Sequence, residues 1–252
     1  MLLPHDELGG GSPVVLLHAG IADRTMWTEH LGPLAEAGHR AIALDLPGFG
    51  EAPVPAEQAP WRDVLVTLDV LGVKRATLIG NSFGGAVALR VALIAPKRVA
   101  ALVLVSAPAP LAEPSPELET AWEAEESALD SGDVEAAVQA VVDAWLLPDA
   151  PAGLRERVAA MQRRAFELQL DAGEVPEAED PLEARPDALA QLDLPALVLV
   201  GEHDLPDFRA GAELLARQLS ARHAVIPGAR HLAPLEQPAA FREQLIGFLP
   251  HS

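Results

Sequence analysis

The stretch ATLIGNSFGG, residues 76–85, decides the fold of this 252-residue chain. Its apolar start at 76–79 predicts a buried strand, and the segment 83–94 that follows at once predicts a helix. Between them lies a G-x-S-x-G turn centred on Ser82, so tight that its neighbours must lack side-chain bulk. Such a turn lifts the serine oxygen above the sheet, beside a helix N-terminus that favours negative charge. We therefore predict that Ser82 is a nucleophile, with a plain glycine-rich turn as the alternative.

Apolar runs of the same kind recur along the chain and alternate with helical segments. They lack polar alternation, which is typical of strands covered on both faces. The predicted strands lie at 14–17, 41–44, 76–79, 101–105, 196–200 and 223–226, and the predicted helices between them at 27–37, 61–71, 83–94, 208–219 and 238–248. Repetition of strand and helix predicts an α/β fold with a doubly wound, mostly parallel sheet, which binds ligands at the carboxyl ends of its strands.

Residues 111–187 break this alternation. They contain helix-period segments at 117–129, 134–146 and 153–170 but no strand-like run, and prolines mark both ends. We therefore predict a helical cap inserted into the sheet domain, which divides the chain into a first core part at 1–110, the cap at 111–187 and a second core part at 188–252.

The cap carries most of the charge of the chain. It has 20 acidic and five basic residues, a net charge of −15, whereas the whole chain has a net charge of −19. We interpret this acidity as a solvated outer face. The alternative is that it disfavours anionic substrates such as acyl-CoA.

Composition excludes several classes of function. Half of the residues are apolar, enough for a full core, and the absence of cysteine excludes disulfides and thiolate metal sites. The negative charge argues against nucleic-acid or anionic-membrane partners. No apolar run is long enough to span a membrane, and residues 1–12 lack the pattern of a signal peptide. We expect a soluble cytoplasmic protein that acts on a small molecule without metal or cofactor, since no metal-binding or dinucleotide motif is present.

A serine nucleophile needs a base, and the base needs an orienting acid. On such a sheet the expected chain order is serine, then aspartate or glutamate, then histidine. Asp204 lies in the loop after the predicted strand 196–200, and His231 lies in the loop after 223–226. Because both follow strands in the expected order, we predict Asp204 as the acid and His231 as the base.

Other residues compete for these roles. Asp207 is the second candidate for the acid, although its position before Phe208 also suits a helix N-cap, and Glu202 is a weaker candidate. His203 lies too close to Asp204 along one loop to act as the base, so we interpret it as a solvent-exposed or loop-packing residue. The remaining scattered histidines are predicted surface residues: His5, His30, His39, His223 and His251.

Acyl transfer also needs donors for the developing oxyanion. The backbone N–H of Phe83, next to the nucleophile, is one candidate, and that of Gly20, after the first core strand, is the other. His18 is predicted to tether the Gly20 loop, and the turn at 45–50 is interpreted as architecture. Candidates for the substrate pocket are large side chains for which core packing is the alternative; these are Trp27, Trp122, Trp145, Met161 and Phe166.

Together these residues resemble the α/β-hydrolase superfamily, over essentially the whole chain. The matching stretches are 18–20 with 26–27, 45–50, 80–85, 201–204 and 228–231. The resemblance implies a helical cap over the active site, a triad of Ser82, Asp204 and His231, and oxyanion amides at Gly20 and Phe83. The chain departs from the family pattern at Ala19 and Arg230, where glycine is common, and its short N-terminus leaves room for one strand at 2–8.

The resemblance also limits which reactions of the family we expect. A serine nucleophile argues against family members that need a carboxylate at that position, and no tryptophan closely follows His231 as it usually does in C–C bond hydrolases. Residues 231–238 are loosely similar to the 3-oxoadipate enol-lactonase and cofactor-free haloperoxidase and esterase branch. We predict an esterase or lactonase of small, apolar or neutral substrates that forms an acyl-enzyme. The alternatives are a C–C hydrolase, a thioesterase, a perhydrolase or a ligand-binding receptor on the same fold.

Overall fold

In a computed structural model of the chain, residues 1–109 and 113–249 are described, with all their side chains except that of Pro186. Within these ranges seven strands form one sheet. Their bounds are β1 His5–Gly9, β2 Ser12–Leu17, β3 His39–Leu44, β4 Ala76–Asn81, β5 Val99–Val105, β6 Ala196–Gly201 and β7 Arg222–Ile226.

The helices include every one that the sequence predicts. Their bounds are α1 Thr28–Glu36, α2 Pro60–Val70, α3 Phe83–Ile94, α4 Pro116–Asp130, α5 Val134–Trp145, α6 Ala152–Ala172, α7 Pro206–Gln218, α8 Ala233–Glu236 and α9 Pro238–Ile246. Short 3₁₀ turns lie at Arg24–Trp27, Pro96–Arg98 and Pro186–Gln191. No helix in the described ranges has both the length and the apolar character needed to cross a membrane.

The sheet is parallel except at one edge. Its strand order is β1-β3-β2-β4-β5-β6-β7, and β1 pairs antiparallel with β3 while the other pairs are parallel. The chain therefore winds outward in both directions from β2 and β4, as the predicted doubly wound fold requires. Ligands bind in the crevice at such a reversal of strand order. The loops after β2 and β4, which contain Gly20 and Ser82, border this crevice.

Each face of the sheet is covered by helices. One core cluster includes Leu17, Leu78 and Leu89 and packs beneath α2, α3 and α7. The other includes Leu16, Ile79 and Phe241 and packs beneath α1 and α9. Successive residues of β2 and β4 thus point to opposite faces and are buried on both, which explains why their sequences show no polar alternation.

Helices α4, α5 and α6 lie between β5 and β6 in the chain and are joined to the core by polar contacts. The Gln169 amide donates to the Gly48 carbonyl at 3.1 Å, and Arg90 of α3 forms an ion pair with Asp180. The predicted cap begins at Leu111, and residues 110–112 lie outside the described ranges. Its exact boundaries stay a prediction.

Two histidines that the sequence analysis placed on the surface are buried, His30 and His39. The ring of His30 packs edge-on against Phe241 with centroids 5.0 Å apart, and its Nε2 donates to the Pro234 carbonyl at 3.0 Å. Its Nδ1 has no hydrogen-bond partner in the described part of the chain. Burial therefore lowers the pKa of His30 to about 4. The prediction failed because His30 shares the buried face of α1 with Leu34, one turn further on.

We expect His30→Gln to reduce the acid sensitivity of folding, because glutamine keeps a donor for Pro234 but does not titrate. Free histidine takes up a proton near pH 6.5, whereas folded His30 does so near pH 4. Between these values the unfolded state binds more protons, so the wild-type protein loses stability as the pH falls, by about 3 kcal/mol at most. Urea unfolding at several pH values measures this, and an equal loss in both proteins would contradict the assignment.

Candidate active site

The turn after the central strand β4 holds Ser82 in a strained conformation. Ser82 has φ 50° and ψ −115°, a region that L-residues rarely adopt, and its N–H donates to the Val105 carbonyl at 2.8 Å. A Cβ added to Gly80 would overlap the backbone of Gly84, and one added to Gly84 would overlap the carbonyl of Leu17. The glycines are therefore required by close backbone approach, as the turn pattern predicts.

The loops after β6 and β7 bring Asp204 and His231 together. The Nδ1–H of His231 donates to Asp204 Oδ1 at 3.0 Å and lies 3.2 Å from Oδ2, and both residues are buried. Oδ1 also accepts the Leu205 N–H at 2.8 Å. Since Nδ1 carries the proton in this arrangement, Nε2 of the neutral ring is the acceptor. His231 lines the same cavity as Ser82.

Three residues that were not predicted to position the base hold His231 in place. The ring packs against Trp145 and Phe208, with centroids 4.5 Å and 4.3 Å away. The Asn81 amide donates to the His231 carbonyl at 3.2 Å and to that of Val105 at 3.1 Å. Trp145 was predicted only as a pocket residue. The position of Asn81 directly before the nucleophile was the one signal that could have indicated its role.

Glu236 links the histidine loop to the cap. Its carboxylate accepts the backbone N–H of Arg230 at 2.8 Å and that of Leu147, just after α5, at 2.9 Å. Burial raises the pKa of the Glu236 carboxyl. This residue lies in the 231–238 segment that suggested the enol-lactonase resemblance, but the sequence analysis assigned it no role.

The competing acids are engaged elsewhere. Asp207 lies inside the first turn of α7, whose N-cap is Leu205, so its predicted capping role was wrong. Its carboxylate accepts the N–H of Ser115 at 2.8 Å and also the Ser115 hydroxyl. Burial alone would raise the pKa of Asp207, but these hydrogen bonds outweigh it and lower that pKa. Glu202 accepts the Gly228 N–H at 2.9 Å, and His203 is exposed.

The Gly20 loop is tied down by His18. The Leu46 N–H donates to its Nε2 at 2.9 Å, so Nδ1 carries the proton and donates to the Ala19 carbonyl at 2.8 Å. Burial lowers the pKa of His18, which keeps the ring neutral. A Cβ built on Gly20 would lie 3.4 Å from that of Phe83, so the two predicted oxyanion residues are neighbours.

The turn at 45–50 packs against the loop that contains Gly20. Buried Asp45 forms an ion pair with Arg24 and accepts the backbone N–H groups of Arg24 and Glu51, each at 2.8 Å. The ring of Phe49 packs between those of His18 and Phe83, with centroids 5.0 Å and 5.8 Å away. The turn thus fixes the geometry around the site, in agreement with its interpretation as architecture.

A cavity of about 430 Å³ opens above Ser82. Of the five predicted pocket residues, Trp122, Trp145 and Phe166 line it. Among the described residues its lining is Gly20, Ile21, Ser82, Phe83, Ala86, Pro108, Trp122, Glu125, Trp145, Gln162, Phe166, Gln169, Phe208 and His231. The polar side chains Glu125, Gln162 and Gln169 were missed, because a helical sequence does not show which of its polar positions face inward.

Trp27 and Met161 do not line this cavity, which corrects their predicted role. Trp27 is fully buried, 5.8 Å from the ring of His30 and 6.0 Å from that of Phe241. Met161 packs in the same core cluster, and its sulfur accepts the Thr25 hydroxyl at 3.6 Å. Core packing was the alternative for both residues, and the structure places both in the core.

A second cavity, of about 460 Å³, adjoins the first and shares Phe83, Ala86 and Gln169 with it. Arg90, the one basic side chain in its described lining, pairs with Asp180, with Nε 2.9 Å from the carboxylate. In the described ranges no group of three or more histidine, aspartate or glutamate side chains is arranged to hold a metal ion.

We expect Gly80→Ala to destabilise the protein by about 3 kcal/mol or more, because the new methyl group meets backbone that cannot move without shifting α3. Gly153→Ala is the matched control. Its added Cβ meets nothing within 4 Å, and alanine is the better helix former in α6 by up to about 1 kcal/mol. Thermal melts compare the three proteins, and a Gly80→Ala protein as stable as wild type would refute the turn geometry.

Known proteins share part of this sequence. A segment of 112 residues is 38% identical to 2-hydroxy-6-oxo-6-phenylhexa-2,4-dienoate hydrolase from Comamonas testosteroni, covering 41% of this chain and 39% of that protein. The chain thus matches only about two fifths of the length of this curated relative.

Solved structures match over almost the whole chain. A thermophilic esterase from Thermogutta terrifontis is 28% identical with a TM-score of 0.76, covering 99% of this chain and 94% of its own. An enol-lactonase from Burkholderia xenovorans is 24% identical with a TM-score of 0.78, covering 98% of this chain and 95% of its own, and it shares the fold. The family model of the alpha/beta hydrolase fold matches residues 12–238. This match spans every strand from β2 to β7 and each loop that carries the site, and the chain belongs to the α/β-hydrolase fold family.

Proposed function

We propose that this hydrolase cleaves carboxylic esters or lactones through an acyl-enzyme on Ser82. One observation carries the proposal: His231, hydrogen-bonded to buried Asp204, lines the same cavity as a serine held on a strained turn. A histidine with an acid on Nδ1 and a serine on the side of Nε2 is the arrangement that activates a hydroxyl for attack.

In the proposed reaction, Nε2 of His231 takes the proton of the Ser82 hydroxyl as its oxygen attacks the ester carbonyl. The backbone N–H groups of Gly20 and Phe83 donate to the developing oxyanion. The intermediate collapses, the C–O bond to the alcohol breaks, and His231 returns the proton to the leaving oxygen. Water, deprotonated by His231, then releases the acid and restores Ser82.

Asp204 keeps the proton of His231 on Nδ1 and stabilises the imidazolium that forms in each step. The packed rings of Trp145 and Phe208 exclude water from one side of this pair, which strengthens the interaction. The hydrogen bond from the Asn81 amide to the His231 carbonyl helps to hold the His231 backbone in place.

C–C bond hydrolysis is the second candidate, because the relative from Comamonas testosteroni is a dienoate hydrolase. The described lining of the Ser82 cavity contains no arginine or lysine that could hold the carboxylate of a dienoate. Arg90 of the neighbouring cavity is already paired with Asp180. These features support neutral esters over dienoates, and they also argue against anionic acyl-CoA thioesters.

The expected cytoplasmic location and the expected lack of nucleic-acid and membrane partners stay predictions. The same holds for the assignment of Ser82, Asp204 and His231 as a working triad and of Gly20 and Phe83 as oxyanion donors.

We expect Ser82→Ala to lower kcat for p-nitrophenyl butyrate by at least about 10⁴-fold while the protein stays folded. A fluorophosphonate probe should label the wild-type protein at Ser82 and leave the variant unlabelled. Circular dichroism checks the fold. Unchanged turnover in the variant would eliminate the acyl-enzyme, and a folded wild-type protein that takes no label would favour a ligand-binding receptor.

Asp204→Asn and Asp207→Asn separate the two candidate acids. The first should reduce kcat by roughly 10³-fold or more, because asparagine no longer stabilises the imidazolium or enforces its tautomer. The second removes an acceptor for Ser115, so it should lower thermal stability but leave kcat within about threefold. The same ester assay measures both, and a larger loss of kcat in Asp207→Asn would reverse the assignment.

A further inference from the structure

Helix α4 presents two side chains of different character to the Ser82 cavity. Trp122 and Glu125 are three residues apart, which places them on one face of the helix, and both line the cavity. The indole is half exposed at 50%, whereas the glutamate is half-buried. The cavity thus has an aromatic ring at its rim and a carboxylate beside it.

Glu125 differs from the other acidic residues of the cap. Of the 20 acidic residues in the segment 111–187, 18 are exposed, and the two exceptions are Glu125 and Asp180. Asp180 is paired with Arg90, but no described side chain forms a hydrogen bond or ion pair with the Glu125 carboxylate. Burial raises the pKa of its carboxyl, as expected for an acid without a compensating partner. No lysine or arginine lines the described part of the cavity to supply one.

A second acceptor in the same cavity is also unused. Gln162 of α6 is 3% exposed and lines the cavity, and its Oε1 accepts no hydrogen bond from any described residue. A buried acceptor without a donor is unfavourable, and such a group in a binding cavity is explained when a ligand supplies the donor. The Glu125 carboxylate and the Gln162 carbonyl therefore both lack a hydrogen-bond donor among the described residues.

The remaining walls suit a cation as well. Five aromatic side chains line the cavity, and the faces of such rings attract ammonium groups. A neutral alcohol could satisfy Gln162 but would leave the charge of Glu125 uncompensated. A protonated amine supplies the N–H donors, the positive charge and the alkyl groups that pack on Trp122 and Phe166.

We propose that the cap side of this cavity is a subsite for a protonated amine, and that the preferred substrates are esters that carry one. This inference rests on the proposed ester hydrolysis and adds the substrate class. Glu125 provides the counter-charge, Gln162 accepts a hydrogen bond, and the aromatic rings surround the alkyl groups of the amine.

A pair of substrates of equal shape tests it. 2-(Dimethylamino)ethyl butyrate is protonated at pH 7, and 3-methylbutyl butyrate is its neutral isostere. We expect kcat/KM to favour the amine ester by about fivefold or more in the wild-type protein. In Glu125→Gln the ratio of the two values should fall to near one, because the charge is removed and the shape is kept.

Glu126→Gln is the matched control, since Glu126 is the next residue of α4, is exposed and lies outside the cavity lining. It removes the same charge from the same helix and should keep the wild-type ratio. Equal kcat/KM values in the wild-type protein, or an equal drop in both variants, would overturn the subsite. The second result would attribute the preference to the overall field of the cap.

Binding to an inactive protein separates this proposal from ester hydrolysis itself. Titration calorimetry of Ser82→Ala with benzyldimethylammonium should give an affinity about fivefold higher than the same titration of Ser82→Ala with Glu125→Gln. Should the wild-type protein cleave no ester while this difference persists, the proposed function fails and the amine subsite stands. Equal affinities in the two proteins would refute the subsite, whatever the esterase assay shows.

Discussion

The left-handed backbone at Ser82 is the constraint on which the rest of the structure depends. A side chain is tolerated there only because the surrounding backbone is packed against the turn, with Gly84 against Leu17 and the Ser82 N–H bound to Val105. This packing requires β2 and β5 to flank β4 on both sides, so the nucleophile must follow the central strand. It also requires α3 to begin at the next residue, which places the amide of Phe83 beside the serine.

The second determinant is the fixation of His231. Asp204 binds its ring, Asn81 its carbonyl, and Glu236 the N–H of the preceding residue, while the other Glu236 contact reaches Leu147 of the cap. The cap therefore contributes directly to the position of the base.

The acidic residues of the cap fall into two groups in this structure. Most of its carboxylates are solvated, in line with the interpretation from sequence, whereas Glu125 faces the cavity and bears on which substrates enter it.

Sequence reasoning predicted the geometry where that geometry is local or follows from strand order. The turn around Ser82 is specified by its own glycines. Asp204 and His231 could be predicted because the carboxyl ends of parallel strands meet at one edge, so residues distant in the chain converge once the strands are recognised. Sequence reasoning failed where only the rotation of a helix about its axis decides which side chains face the core, the cavity or solvent. His30 was assigned to the wrong face of α1, and Met161 of α6 points into the core, whereas Glu125 and Gln162 point into the cavity.

The sequence by itself therefore determined the class of fold, the family and the residues that form the predicted triad. Backbone sterics and the alternation of strands with helices are readable without coordinates. Only the tertiary structure decided which cap side chains line the pocket, which carboxylates lack partners, and that Asn81 and Glu236 hold the histidine loop. These features depend on packing between segments far apart in the chain, such as Leu147 with Glu236 and Ser115 with Asp207, and no local pattern specifies such contacts.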